Sequence, residues 1–360
     1  MYATMALCLK AAKNDAQKAL DALRAKGVFC SQYEVGREGA FVYLPIRTSG
    51  KEWAGKLGFG PVVKKTLQAA KKRPKSLHDE LSGVLTPVEF EHVLSSFDVI
   101  GDIAMLEIGA ELEPKEKEIA RAIMRLYPHV KTVVKKTGGT GGPYRIRPVS
   151  VIAGEKKTKT ISKENGCSFL VDLNKAYYNP RMASERMRVI KQIKKDENVL
   201  VLFAGVGPYA VLAEKKTPAN AKPAKIMAIE LNPDAVEMMK ENITLNKCKK
   251  IEAIEGDVED VLAGADSPRS RFHSFADRII MPHPTESLRF LPAALGAART
   301  GAIIHLYAFG RAEKPMEDVL TQAQEMAEKT GHKLVLRAWR VVQTYSPTLV
   351  QVVLDLQRIS

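Results

Sequence analysis

The sequence predicts an α/β protein: a doubly wound, Rossmann-like parallel sheet preceded by two smaller α/β units. Three strand ends carry that prediction. Residues 199–203 form an apolar run of strand length that breaks at Ala204-Gly205-Val206-Gly207-Pro208, ahead of a helix-compatible stretch at 209–215. A second apolar run, 226–229, is closed by Glu230, and a third, 251–254, ends in Glu255-Gly256-Asp257-Val258. Apolar runs without alternation suit parallel strands covered on both faces, and ligands bind such sheets at the carboxyl ends of the strands.

The side chains at these ends narrow the ligand. A glycine turn lets it lie against bare backbone. A carboxylate at the tip of the second strand is placed to accept from two ribose hydroxyls, and Asp257 to accept from the exocyclic amine of adenine. The loop lacks the GxGxxG spacing expected beneath a pyrophosphate. The set describes S-adenosylmethionine better than a dinucleotide, with Phe203, Ala204, Gly205, Val206, Gly207, Glu230, Leu231, Asp257 and Val258 as its contacts. Asn232 reads as the N-cap and Pro233 as the first residue of a helix over 234–246.

At 360 residues the chain is long enough for two or three domains and a large core. Lys plus Arg number 55 against 41 Asp plus Glu, a net charge of +14, which suggests a polyanionic partner. Nucleic acid is favoured over a membrane surface, because no long amphipathic basic helix stands out. The four cysteines are scattered without a CxxC pair, as in reduced intracellular proteins. No apolar run reaches the roughly 18 residues of a membrane span, and the amino terminus lacks a signal-type apolar core, so the expected location is cytoplasmic. The seven histidines are dispersed, and no metal site is expected.

Residues 1–85 read as a small amino-terminal unit with a basic linker. Its elements are a strand at 3–9, a helix at 15–26 with Ala16, Ala19, Leu20 and Leu23 on one face, and a strand at 40–46. The run Lys71-Lys72-Arg73-Pro74-Lys75 suits a linker or a phosphate-facing loop. Residues 86–167 read as a basic middle domain, with a strand near 98–107 and a helix opened by Pro114. That helix places Ile119, Ala122, Ile123 and Leu126 at i, i+3, i+4 and i+7, and a strand at 130–134 follows. A basic glycine-rich loop at 135–143 then leads into Tyr144-Arg145-Ile146-Arg147. From 131 to 160 there are eight basic residues and one acid, Glu155. Residues 168–360 read as the cofactor domain: a short strand at 169–172, a turn at 177–181, a helix at 182–193 and the three strands already named. A fourth strand at 276–281 runs into Pro282-His283-Pro284, a fifth lies at 301–309, and a hairpin at 333–342 and 348–357 closes the chain. Five parallel strands closed by an antiparallel pair is the layout of the class I methyltransferase core.

With those residues in view, the chain resembles the tRNA guanosine-37 N1-methyltransferase family of archaea and eukaryotes, over nearly its whole length. The resemblance rests on SFDVIGDIAMLEI (96–108), YRIRPVSVIAGEKKTKTISKENG (144–166), VDLNKAYYNPRMASERMR (171–188), VLFAGVGPY (201–209), AIELNP (228–233) and EGDVED (255–260). It implies a class I S-adenosylmethionine-dependent methyltransferase core with two smaller domains before it. The first touches the tRNA outer corner; the last two clamp the anticodon stem-loop. It also implies Glu185 as general base, Arg145 as the residue holding guanine O6, and Arg186 near the methionine carboxylate of the cofactor.

The chemistry asks for the same groups. N1 of guanine is protonated at neutral pH, so its alkylation needs a base for that proton and a positive donor for charge developing on O6. An arginine fork can meet a guanine edge bidentately. If the turn after Pro180 enters a helix, Arg181 and Glu185 share one face at i, i+4. Tyr177 and Tyr178 are candidates for stacking on the base or cofactor, and Asn179, Pro180 and Arg181 belong to the same substrate-side motif. The chain departs from its relatives at Val201, where they usually have Asp, and at Pro282-His283-Pro284, where they usually have Asn-Leu-Pro. The expectation is that Pro282 and His283 supply carbonyl and imidazole contacts in place of the lost amide, with Pro284 beside them. Two alternatives remain: a wyosine-pathway enzyme acting at the same tRNA position, by aminocarboxypropyl transfer or a dual methylating role, and a tRNA-binding protein with a vestigial cofactor pocket. An internally complete site makes a monomer the default.

Overall fold

The computed structural model describes residues 3–70, 76–91, 97–139 and 141–360, so the basic run at 71–75 lies outside the described residues. The chain divides into two compact units, Met1–Glu80 and Leu81–Ser360. The first is a four-stranded antiparallel sheet built from β1 (Ala3–Ala12), β2 (Gly36–Glu38), β3 (Phe41–Pro45) and β4 (Val62–Gln68), in the order β2-β3-β1-β4. Helix α1 (Ala16–Ala25) buries Ala19 and Leu23 completely, in a cluster with Leu9, Val42 and Leu44. Those two side chains are four apart, as the apolar stripe required. A short helix, α2 (Lys51–Gly55), precedes β4.

Two short helices, α3 (Leu77–Leu81) and α4 (Pro87–Glu91), precede a second four-stranded sheet. Its strands are β5 (Asp98–Ile100), β6 (Ile103–Leu106), β7 (Thr132–Lys136) and β8 (Val149–Gly154), paired in that order with only β6 and β7 parallel. Helix α5 (Glu116–Leu126) makes the crossover between β6 and β7 and buries Ile119, Ala120, Ala122 and Ile123. It begins later than Pro114 suggests, because that proline sits inside a 3-10 turn, Ala110–Lys115. Lys135 and Lys136 belong to β7 rather than to a loop, and each meets an acid: Lys135 pairs with Glu113 and Glu116, Lys136 with Glu107.

Next comes a hairpin of β9 (Lys159–Glu164) and β10 (Cys167–Asp172). The reading of 169–172 as a strand is right in place but incomplete, since its partner β9 carries Thr160, Ser162 and Glu164 on the buried face, a polar pattern that does not announce a strand. The hairpin also crosses the division between 167 and 168.

The remaining chain forms a seven-stranded sheet. Its elements are α6 (Ala183–Ile190), β11 (Asn198–Val201), α7 (Pro208–Lys216), β12 (Lys225–Glu230), α8 (Pro233–Leu245), β13 (Ile251–Glu255), α9 (Val258–Val261), β14 (Ala276–Met281), α10 (Leu291–Ala297), β15 (Ala298–Arg311), α11 (Glu317–Lys329), β16 (Leu334–Thr344) and β17 (Leu349–Arg358). The order is β13-β12-β11-β14-β15-β17-β16. The first five strands are parallel, and β17 runs antiparallel to both its neighbours. Side-chain alternation splits each strand between two cores: Val199 and Val201 face one cluster, Leu200 and Leu202 the other. The first cluster runs on into Ile100, Ile103 and Val134, so one apolar mass unites both sheets of the 81–360 unit.

Asn242, fully buried on α8, ties the hairpin to the loop after β11. Its Oδ1 accepts from the Leu170 N–H at 2.6 Å, and its Nδ2 donates to the Leu170 and Val206 carbonyls at 3.1 and 3.0 Å. Asn242→Ala should orphan these backbone groups and cost about 3 kcal/mol, at the scale of 1–3 per buried unsatisfied group. Equilibrium denaturation measures it.

Candidate active site

The loop after β11 is shaped by left-handed backbone. Phe203, Gly205 and Gly207 have φ of 53°, 56° and 83°. A Cβ on Gly207 would stand 2.8 Å from Met239 Cγ, so α8 packs against bare backbone there. A Cβ on Gly205 would meet only the Tyr177 carbonyl, at 3.7 Å, which leaves an open cradle. Glu230 holds that cradle in place: its Oε2 accepts the Gly205 N–H at 2.7 Å and its Oε1 the Asn232 N–H at 2.9 Å. Burial pushes the Glu230 pKa up, opposed by its backbone N–H bonds. Asn232 caps α8 with Pro233 behind it, as the sequence implied. Asp257 caps α9, with Oδ1 accepting the Glu259 N–H at 2.7 Å. Leu231 is exposed beside Glu230, whereas Ala204, Val206 and Val258 anchor the site in the core.

Arg145 reaches the same edge of the sheet from the loop between β7 and β8. It occupies a turn closed by the Gly141–Ile146 bridge, with φ of 51°, and its guanidinium donates to the Thr285 hydroxyl. Two non-glycine residues in left-handed conformation, Arg145 and Phe203, thus lie on the two walls of one site, where backbone strain commonly collects. The His283 ring stands 5.0 Å from that of Phe203, which also packs edge-on against Phe290 at 5.2 Å. Nδ1 of His283 accepts the Glu286 N–H at 3.2 Å, so a neutral ring carries its proton on Nε2. Burial, and then the Arg145 charge, push the His283 pKa down to about 4. Pro282 and Pro284 flank it, both half-buried. Val201 is enclosed in the apolar core.

The segment at 177–188 has two sides. Tyr177 is 45% exposed, whereas Tyr178 is buried and donates to Glu164 at 2.8 Å. Asn179 caps the 3-10 turn Pro180–Met182 by accepting the Arg181 N–H. Because Arg181 stands in that turn, it turns to Asp98 at 2.6 Å instead of pairing with Glu185. Arg186 is buried, with Nε donating to Glu164 at 2.8 Å and Nη2 to the Asn179 carbonyl at 3.0 Å, so its charge is already matched.

Glu185 is 5% exposed. Its Oε1 accepts from the Tyr307 hydroxyl at 2.7 Å and from Arg188 Nε and Nη2 at 3.0 and 2.9 Å. Arg188 is fixed in turn by Asp355, Asp355 by His305, His305 by Arg278, and Arg278 by Glu197. Sequence reading missed Arg188, His305, Tyr307 and Asp355. The available signal was a polar residue in the middle of an apolar strand, His305 in IIHLYAF and Asp355 in VVLDLQ. Glu185 and Arg145 have separate partners: Tyr307 and Arg188 hold Glu185, and Thr285 meets Arg145. Tyr307 follows Leu306, the register partner of Met281.

A cavity of about 880 Å³ lies elsewhere, lined by Gly101, Asp102, Lys159, Ile161, Lys163 and Tyr178 among others and by no residue of the glycine loop. Pro180 and Ala183 line it as well, so it adjoins the 177–181 segment. Among the described residues no cluster of His, Cys, Asp and Glu could hold a metal ion, and no helix is long and apolar enough to cross a membrane.

Sheet order, glycine turn and strand-end acids together define a class I methyltransferase fold. Residues 160–335 match the family model of the TRM5/TYW2 methyltransferase domain, and residues 77–158 that of the TYW2 N-terminal domain. The chain is 36% identical to tRNA (guanine(37)-N(1))-methyltransferase Trm5b of Pyrococcus abyssi, over 91% of this chain and 92% of that one. It superposes on the aTrm5 chain of a complex with tRNALeu with a TM-score of 0.75 at 29% identity, covering 98% and 99% of the two chains. For TYW2 of P. horikoshii in complex with MeSAdo the TM-score is 0.65 at 28% identity, covering 79% and 98%. The chain belongs to the archaeal and eukaryotic family of tRNA (guanine-37-N1)-methyltransferases.

An NMR titration should place the His283 midpoint near pH 4 rather than 6.5. A neighbouring cation disfavours protonation, so Arg145→Ala should raise that midpoint without restoring 6.5, since burial is the larger cause.

Proposed function

We propose that the chain transfers the methyl group of S-adenosylmethionine to N1 of guanosine 37 in tRNA. The observation that carries this reading is the position of Arg145, whose guanidinium is brought by the β7–β8 loop to Thr285, beside His283 and Phe203 at the cofactor loop. The open backbone at Gly205 and the acids at Glu230 and Asp257 fit the cofactor, with Leu231 and Val258 as apolar contacts for its adenine. When bound, it supplies an electrophilic methyl group on a sulfonium sulfur. Glu230 keeps a lone-pair direction on each oxygen for the ribose hydroxyls, and Asp257 an oxygen for the adenine amine.

On the substrate side Arg145 holds O6 and offsets the charge that grows there as N1 loses its proton. Glu185 takes that proton through Oε2, whose hydrogen bond among the described residues comes from Arg188 Nε, at 3.0 Å. His283, neutral, offers an Nε2–H donor to the base, and Pro282 its carbonyl, in place of the amide of the relatives. Tyr177, 45% exposed, is available for stacking, and Pro180 and Pro284 belong to the substrate side in this reading. Asn179, Arg181 and Arg186 shape the turn that carries it; the charge of Arg186 serves Glu164 rather than the cofactor.

Residues 1–85 meet the tRNA outer corner in this reading, while 86–167 and 168–360 hold the anticodon stem-loop. A second reading, methylation of a tricyclic guanosine derivative at the same position, is favoured by 30% identity over 218 residues to tRNA 4-demethylwyosine(37)-methyltransferase Taw21 of Saccharolobus solfataricus.

Labelled cofactor incubated with tRNA transcripts should mark those with G37 and spare those without it, and tRNA carrying the tricyclic base tests the second reading. Glu185→Gln should slow transfer by about 10²–10⁴, the usual worth of a general base. Label on transcripts lacking G37 would refute the assignment. Affinity for tRNA should fall steeply with salt as phosphate contacts release counterions.

A further inference from the structure

Glu185 is not held symmetrically. Oε1 has three donors, while Oε2 has the shared Arg188 Nε and, at 3.6 Å, Arg340 Nη1. Tyr307 gives its only hydroxyl hydrogen to Oε1. The 2.9 Å contact between the Tyr209 and Tyr307 hydroxyls therefore runs from the Tyr209 O–H to the Tyr307 oxygen. Both tyrosines are buried, and burial raises both phenol pKa values, so both hydroxyls stay protonated. Tyr209 lies in the first turn of α7, two residues beyond Gly207. Two consecutive hydrogen bonds thus join the cofactor loop to the carboxylate, and bonds in such a chain polarise one another.

We propose that Tyr307, supported by Tyr209, is a positioning residue that fixes Oε1 of Glu185, leaving Oε2 as the oxygen that accepts the guanine proton, and so couples the aim of the base to the seating of the glycine loop. This rests on the reading of Glu185 as general base. Arg188 sets the plane of the carboxylate; Tyr307 sets which oxygen is free within it.

The test is single-turnover methyl transfer to a G37 transcript by the full chain. Tyr307→Phe keeps the ring and removes one hydroxyl. It should lower the rate about tenfold, the scale of one hydrogen bond to a charged group, with the dissociation constants for tRNA and S-adenosylmethionine unchanged. Tyr209→Phe should lower it less, and it carries the test should Tyr307→Phe not fold. On the residual rate of Glu185→Gln, Tyr307→Phe should have no further effect. The same tenfold fall in that background, or a full rate for Tyr307→Phe beside an impaired Glu185→Gln, overturns the proposal. A full rate for Glu185→Gln itself ends the general-base reading and this one with it.

Discussion

The site depends on a buried chain of charges that runs from the start of the central sheet to its carboxyl edge. Arg278, 1% exposed, lies on β14 between Glu197 and His305. An arginine donates at every nitrogen, so Nε2 of His305 must accept and its Nδ1 must carry the hydrogen given to Asp355. His305 is neutral in that tautomer, in keeping with the burial that lowers its pKa. Burial alone would oppose the charge on Asp355, but His305 and Arg188 hold its pKa well below the usual carboxylate range. Three carboxylates, Glu185, Asp355 and Glu197, therefore meet two guanidiniums. Removing any one partner would leave an unpaired buried charge, a far larger penalty than the intact chain carries. At the Glu185 end of the chain, Arg340 at the surface stands 3.6 Å from Oε2.

The second constraint is geometric. Arg145 and Phe203 come from different sheets, yet a single apolar cluster from Ile100 to Val353 binds those sheets into one unit. A cation on a free loop would have to be ordered each time it met its target. Here a left-handed turn and the Thr285 bond aim it in advance, and preorganised donors are the ones that stabilise developing charge.

Much of this was legible in the sequence. The apolar runs at 199–203, 226–229 and 251–254 marked parallel strands because both their faces are buried, and Asn232-Pro233 marked a helix start because cap chemistry is local. The strand β9 was not legible, since its inward residues are Thr160, Ser162 and Glu164, whose burial depends on Asp102, Tyr178 and Arg186 far along the chain. The environment of Glu185 was hidden for the same reason: its partners Tyr307 and Asp355 lie 122 and 170 positions away or act through Arg188, whose own bond to Asp355 spans 167. Local pattern reveals which face of an element is covered, not which polar groups meet across it.

The outermost strand of the large sheet has a consequence for how the molecule behaves in company. Residues 337–341 of β16 are exposed on both sides, and Trp339 is among them. Such a border would ordinarily invite a neighbour to add its own backbone and extend the ladder. Two irregularities, at Leu336/Ala338 and Val341/Gln343, twist this border, and Arg337 and Arg340 charge it. Bulges and like charges are how natural proteins blunt such borders, and this border carries both.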